Sequence, residues 1–356
     1  MRADSKSPKA GLRRLLGAAY HPANLITALF MNTTDFFINP QTRLLRSGWR
    51  AMAFLFILTL PQWLMSLMFK SPSHETSSVF DVSLGMILVY GILVGWVALV
   101  SWGCLGFLDR LKLGALGFSL HSNWRREVLF GLAISVAMIV AIVAIQTIGG
   151  GTRVRMNAFW FTVEGVNWAA LSVVIKDLVM ALLLLILAGA FEELVYRGYA
   201  FQTLLRDISP VVPILVLSVF FAGGHWNNPS RTLFSTVNTV LAGIWLATAY
   251  LKTRSLWFPT ALHVGWNFVM GAVFGLPVSG LFIPQHPILV STSDAPLWLT
   301  GGSYGPEGGA TATVIVIASM VFIWQTKWLS VAPEMQIAWT ISPSSADSTI
   351  ALDLRN

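Results

Sequence analysis

Six side chains in this sequence have the types and the spacing for hydrolytic chemistry. Glu192 and Glu193 close the apolar run LLLLILAGAFEELVYRG, and Arg197 follows Glu193 by four residues. His225 stands in FFAGGHWNN, four after Phe221, while His263 and Asn267 stand four apart in PTALHVGWNFV. Helical residues four apart share a face, so Glu193 and Arg197 can pair, and His263 and Asn267 point to one side. Glu192 is rotated by about 100° from Glu193 and need not share its partner. An arginine beside one carboxylate holds that group ionised and oriented. The other carboxylate is left free to act as a general base. Each feature also has a structural reading: a Glu–Arg pair joins helices, and a buried histidine makes one interhelical hydrogen bond. Carboxylate, imidazole and amide supplied by three neighbouring segments are, however, the side-chain set that hydrolysis needs.

The elements that must position these groups are membrane helices. Of the 356 residues 55% are hydrophobic and 11% charged, and the mean hydropathy is +0.68. Soluble domains carry about 25% charged residues. Fifteen Trp and 22 Phe suit a protein whose aromatic side chains gather at membrane interfaces. An ionisable group inside a bilayer costs about 2.5–3.5 kcal/mol on insertion scales, so such residues face the bundle interior and are functional candidates. The net charge of +7 is dispersed between apolar segments and does not indicate nucleic-acid binding. Cys104 is the single cysteine, which excludes an internal disulfide, and its apolar neighbourhood marks it as a packing residue. No cleavable signal peptide is expected, because His21, Pro22 and Asn24 interrupt any apolar core.

Runs of about 20 apolar residues predict eight spans, at 50–69, 83–108, 128–148, 171–198, 210–228, 234–251, 256–275 and 311–329. Sorting the Lys and Arg of the connections onto alternate sides gives 18 against 4, with Lys176 left inside a span. Cytoplasmic loops carry the excess of such residues. The expected fold is therefore all-α: a polytopic helical bundle of about eight transmembrane helices in the cell (inner) membrane, with both termini in the cytoplasm. Residues 1–48 read as a cytoplasmic basic arm whose NLITALF patch could lie on the membrane surface. Residues 49–329 form the bundle, with its functional core at about 125–275, and 330–356 read as a loose polar tail. Residues 276–310, which include TGGSYGPEGG, form a long outer connection. Loops of that length are usually functional or mobile, and a set of glycine turns is the plainer reading here. Asp81, Lys176 and Asp177 fall near span ends and read as structural. Measured along the helices, Glu192 lies about 22 Å from Asp177, and His263 and Asn267 about 10–16 Å into their span. His225 falls deeper, about 22 Å from Pro210, and needs helix tilt or a dip of 199–210 to come level.

On these residues the sequence resembles the CAAX-protease and bacteriocin-processing family of intramembrane endopeptidases, which includes the Ras-converting-enzyme type of prenyl-protein protease. The shared motifs are Glu192, Glu193 and Arg197, then Phe221 and His225, then His263 and Asn267, and the likeness spans roughly 125–275. The glycine-rich loop and the flanking spans look like bacterial members, less specifically. The resemblance implies that Glu192 activates a water held with the help of His225, that His263 and Asn267 donate to the oxyanion, and that Glu193 and Arg197 support them. It implies a membrane-associated peptide or protein as substrate, within the lipid bilayer, and no nucleic-acid partner. A glutamate-type enzyme without a cofactor is the favoured reading. Zinc held by Glu192, His225 and His263 is the alternative, although no His-Glu-x-x-His helix is present. A non-catalytic membrane protein, such as a transporter, immunity or scaffold protein, could use the same polar core. Asn267 does not titrate, and no paired halves are visible, which weighs against a proton relay.

Overall fold

The computed structural model of the protein describes residues 33–40, 42–68, 82–293 and 296–340. The expected arm, including NLITALF, falls largely outside these residues, as do Asp81 and the end of the tail. In chain order the helices are α1 (Thr33–Phe37), α2 (Ser47–Met68), α3 (Leu84–Cys104), α4 (Trp124–Ile148) and α5 (Trp168–Tyr196). Then come α6 (Tyr199–Asp207), α7 (Val211–Gly224), α8 (Leu233–Thr253) and α9 (Trp257–Phe268). The last three are α10 (Leu297–Thr300), α11 (Ala310–Gln325) and α12 (Pro333–Thr340). A π-helical turn extends α3 over Leu105–Asp109, and another extends α9 over Val269–Val273. The protein is thus a mainly helical bundle, and each of the eight expected spans coincides with a helix.

The helices differ in reach. Leu84–Asp109, Trp124–Ile148, Trp168–Asp207 and Leu233–Thr253 are long and apolar enough to cross a membrane, judged by length and composition. Ser47–Pro61, Val211–Gly224 and Ala310–Gln325 are shorter apolar helices. At 1.5 Å per residue α7 is only about 21 Å long, against a hydrocarbon core of about 30 Å. Large apolar side chains such as Ile92, Phe107, Leu129 and Phe220 are exposed on the outside of the bundle. That surface is suited to lipid, where an apolar exterior carries no penalty.

Two apolar clusters hold the bundle. One joins α4, α7, α8, α9 and α11 through Ile139, Ile142, Phe221, Trp245, Leu262, Trp266 and Val316. The other joins α2, α3, α6 and α8 through Phe54, Val97, Phe201 and Tyr250. Helix α4 lies directly on α9 because residue 131 is glycine: a Cβ there would stand 2.7 Å from Ala261 Cβ and 3.0 Å from Phe258 O. A buried ion network ties the second cluster together. Asp109 accepts from Arg50 and, at 2.9 Å, from Arg206, and Arg50 also lies 3.6 Å from Asp207.

Two short antiparallel ladders add strands to the helical architecture. β1 (Thr152–Met156) pairs with β4 (Leu289–Ser293) in the register Thr152↔Ser293 to Met156↔Leu289, and β2 (Phe161–Thr162) pairs with β3 (Gly165–Val166). The first ladder brings the 149–167 and 276–310 connections together on one side of the bundle, as the charge count requires. It also shows that the 276–310 connection is more than a set of glycine turns. Asp177, read as structural from the sequence, fastens it as well: His286 Nδ1 donates to Asp177 Oδ2 at 2.7 Å. The tail is not loose at its start. Helix α12 docks on the connection after α3, with Met335 buried and Glu334 accepting from the Ser122 N–H and hydroxyl at 3.2 Å each.

Candidate active site

Helix α5 starts from Asn167, whose side chain accepts from the Ala170 N–H at 3.1 Å, and ends where Gly198 turns the chain into α6. A Cβ at residue 198 would collide with the carbonyl of Leu194, so only glycine makes this turn. The turn fixes the last helical residues, and with them Glu192, Glu193 and Arg197. Arg197 and Glu193 are both buried. Arg197 donates to Glu193 Oε1 at 3.1 Å and to the carbonyl oxygen of Gly243 on α8 at 3.0 Å. Its guanidinium also lies 4.7 Å from the centre of the Phe221 ring. Residue 243 is another position that excludes a side chain, since a Cβ there would stand 2.7 Å from Ser218 Cβ of α7. That close approach of α7 and α8 brings Phe221 beneath the arginine.

The adjacent glutamates divide. Glu193 Oε1 also accepts from His263 Nδ1 at 3.0 Å. A carboxylate accepts hydrogen bonds, so the proton of this contact sits on Nδ1 and Nε2 is the nitrogen left facing outward. Nε2 lies 3.7 Å from Glu192 Oε2. Glu192 is 24% exposed at its side chain and lines a cavity of about 380 Å³. Glu193 is fully buried, behind His263. One glutamate therefore orients the histidine from behind while the other faces open space on its far side.

His225, Asn267 and His263 line the same cavity as Glu192. His225 caps the C-terminal end of α7, and its Nδ1–H donates to the Phe221 carbonyl at 2.9 Å, which turns Nε2 away from the helix. The Phe221 ring lies 4.8 Å from the His225 ring and 6.0 Å from the His263 ring, centre to centre. His225 still follows Pro210 by the full length of α7, and the 199–210 segment expected to dip forms α6 with Tyr199, Ala200 and Phe201 buried in the bundle. Of the six expected site residues, four meet at the cavity, and Glu193 and Arg197 stand behind it.

Residues that the sequence did not single out complete the walls. Tyr90 of α3, Tyr196 of α5, Asn228, Asn238 of α8 and Trp266 of α9 line the cavity, together with Ser279 and Glu307 from the 276–310 connection. Glu307 accepts from the Trp266 indole N–H at 2.8 Å and from both the N–H and the hydroxyl of Ser279 at 2.6 Å each. Asn238 donates to the carbonyls of Glu307 and Gly309 at 2.8 and 3.1 Å. The glycine-rich stretch is thus built into the site. Its signal was a lone acid among glycines, in a chain with 16 acids in all.

Among the described residues no three His, Cys, Asp or Glu side chains gather closely enough to hold a metal ion.

A helical bundle with an apolar exterior, enclosing a cavity lined by two histidines and two carboxylates, is the class of protein that fold and site define. Residues 174–269 match the family model described as "Type II CAAX prenyl endopeptidase Rce1-like". The matched segment contains all six expected site residues and supports a CAAX-type protease of the membrane. Searches of curated proteins and of solved structures return no match.

Proposed function

We propose that the protein is an intramembrane endopeptidase that hydrolyses a peptide bond of a membrane-associated chain, using water activated by Glu192. The observation that carries this reading is the bracketing of His263 by two glutamates, with Glu193 fixed behind it and Glu192 facing the cavity. In the proposed reaction a Glu192 carboxylate oxygen takes a proton from water as the water oxygen attacks the scissile carbonyl. The same proton then passes to the leaving nitrogen. General-base assistance of this kind contributes about 10²–10⁴ in rate. His263 meets the developing oxyanion with Nε2 when both ring nitrogens carry protons, and the Asn267 amide, one helical turn on, donates beside it. A preorganised donor of this type is worth about 10²–10³ in kcat. The free Nε2 of His225 helps to hold the water. Glu193 and Arg197 position the histidine and take no part in bond making.

The proposed enzyme crosses the cell (inner) membrane eight times with both termini in the cytoplasm. It needs no metal. Purified protein in liposomes, given a panel of prenylated and unprenylated membrane peptides, tests the reading. Cleavage by wild type and its loss in Glu192→Ala and His263→Ala are expected. If no peptide is cut, or if Glu192→Ala cuts as fast as wild type, the reading fails.

A further inference from the structure

A groove on the outside of the bundle lies apart from the catalytic cavity, between α4 and α11. It holds about 440 Å³ and is walled by Phe130, Ala137 and Met138 of α4, by Ile315 and Phe322 of α11, and by Trp328. That volume lies within the range of ligand pockets, about 300–1,000 Å³. Among the described residues no charged side chain lines it. Its one hydroxyl, on Ser319, is buried and accepts from the Trp245 indole N–H at 3.0 Å. The interior of the groove therefore offers an occupant apolar contact.

Cations stand at one end of it. Arg125 and Arg126 are in the first turn of α4, and Lys327 lies just beyond α11. The Arg126 guanidinium is 5.7 Å from the centre of the Phe130 ring, and that ring is 5.8 Å from the Trp328 ring. Lys252 donates to the carbonyls of Trp324 and Thr326 at 3.0 and 2.6 Å, which fixes the chain that leads to Lys327. Arg125, Arg126 and Lys327 are exposed, and among the described residues none of them forms an ion pair. The carboxylates nearby in sequence and contact are engaged elsewhere. Glu127 is buried, 3.5 Å from His121 Nε2, and Glu334 accepts from Ser122. The mouth of the groove is thus positive, with aromatic rings beneath it.

Length selects the occupant. From Phe130 to Ala141 the α4 wall runs about 16 Å at 1.5 Å per residue. One leaflet of a bilayer supplies about 15 Å of hydrocarbon, half of about 30 Å. A partner's membrane helix needs contact over the full thickness, whereas a lipid chain needs a single leaflet. In the proposed topology the basic end is cytoplasmic. The geometry points to a binding site for one anionic phospholipid of the cytoplasmic leaflet. An acyl chain fills the groove, and the phosphate rests on Arg126 and Lys327 with Arg125 beside them. Basic pockets between membrane helices on that side suit such headgroups. The site adjoins the catalytic cavity through α11, whose opposite side, Ala312, Thr313 and Val316, lines that cavity together with Trp245. It stands independently of the peptidase reading.

The test uses the purified full chain in neutral detergent, given phosphatidylglycerol or phosphatidylcholine with identical acyl chains. Native mass spectrometry counts the lipids retained. Each lysine or arginine near an anionic surface is worth about fivefold in binding, so wild type is expected to retain one phosphatidylglycerol at least about tenfold more tightly. Arg126→Gln/Lys327→Gln is expected to narrow that ratio to about fivefold or less. Ala137→Leu, at an exposed position on the groove wall, is expected to lower the retention of both lipids. Equal retention of the two lipids by wild type, or an unchanged ratio in the double variant, overturns the assignment. So does retention that Ala137→Leu leaves as it was. If a neutral prenylated peptide displaces phosphatidylglycerol at equal concentration, the groove takes that chain instead. If wild type is a dimer that Ala137→Leu splits, the groove takes a second copy. Either result overturns the lipid site.

Discussion

The adjacent glutamates provide a contrast in which stability and activity separate. Glu193 is fully buried and accepts from Arg197 at 3.1 Å and from His263 at 3.0 Å. Glu193→Gln keeps an acceptor oxygen but removes the charge, which leaves the buried Arg197 guanidinium without a counter-ion beside it. Removing one partner of a buried ion pair costs about 3–5 kcal/mol, because the other charge is left uncompensated. Glu192 differs on each count. Its side chain is partly exposed, its Oε2 has no hydrogen-bond partner, and His263 stands at 3.7 Å. Glu192→Gln is accordingly expected to cost at most about 1 kcal/mol, because it removes no hydrogen bond. It is expected to lower peptide cleavage by about 10²–10⁴, the worth of a general base. The double variant Glu193→Gln/Arg197→Met supplies the control. With both charges gone the stability loss shrinks, as replacement of a whole buried pair by apolar groups is often near neutral. Unfolding of the purified variants in detergent, set beside cleavage of a membrane peptide, measures both quantities. The reasoning is refuted if Glu192→Gln destabilises as much as Glu193→Gln. It is also refuted if Glu192→Gln still cleaves, or if the double variant is no more stable than Glu193→Gln.

Other perturbations probe the supports of the site. Gly131→Val forces a side chain into the α4–α9 contact, where the first added carbon already meets Ala261 and Phe258. It should destabilise by about 1–3 kcal/mol and depress cleavage through displacement of His263, both read on the detergent-purified variant. A strong chelator should leave the rate of peptide cleavage unchanged, and loss of activity restored by zinc would replace the glutamate mechanism. The docking of α12 should depend on pH. The carboxyl of Glu334 is held below its ordinary value of 4.5 by its own backbone N–H and by the N–H and hydroxyl of Ser122. A lowered folded value means that the contact contributes fully above about pH 4.5 and is lost as pH falls through the lowered value. Hydrogen exchange at 332–340 should rise only below that pH, and Glu334→Gln should abolish the pH dependence.

The architecture and half of the site were legible in the sequence for definite reasons. Apolar runs of membrane length have few other outcomes, and each of the eight led to a helix. The i,i+4 rule placed Arg197 on Glu193 and His263 with Asn267 because one α-helical face decides both pairs. What stayed hidden depends on how separate segments meet. His225 was too deep by helix length alone, and the burial of the segment before α7, as α6, depends on its packing against other helices. The link from His263 to Glu193 joins residues 70 apart, and no helical period reports it. Glu307 was one acid in a glycine-rich turn, and its place depends on Trp266, Ser279 and Asn238 from three other parts of the chain. The connection that carries it is held by the β1–β4 ladder and by His286 on Asp177, two contacts that no local pattern announces.

These hidden contacts alter what the recognised residues can do. On the sequence alone, Glu193 serves Arg197 and Glu192 is left for chemistry, a division resting on rotation about one helix. In the structure the division is enforced by a third group, because His263 reaches across from α9 and takes its Nδ1 acceptor from Glu193. The glutamate that supports the arginine therefore also selects the nitrogen that His263 turns to the cavity. Arg197 in turn is anchored to the Gly243 carbonyl, where α7 and α8 meet too closely for any side chain. The position of the reactive pair thus depends on a backbone contact between two helices that contribute no carboxylate. A volume increase at residue 243 should impair cleavage even though residue 243 touches neither Glu192 nor the substrate.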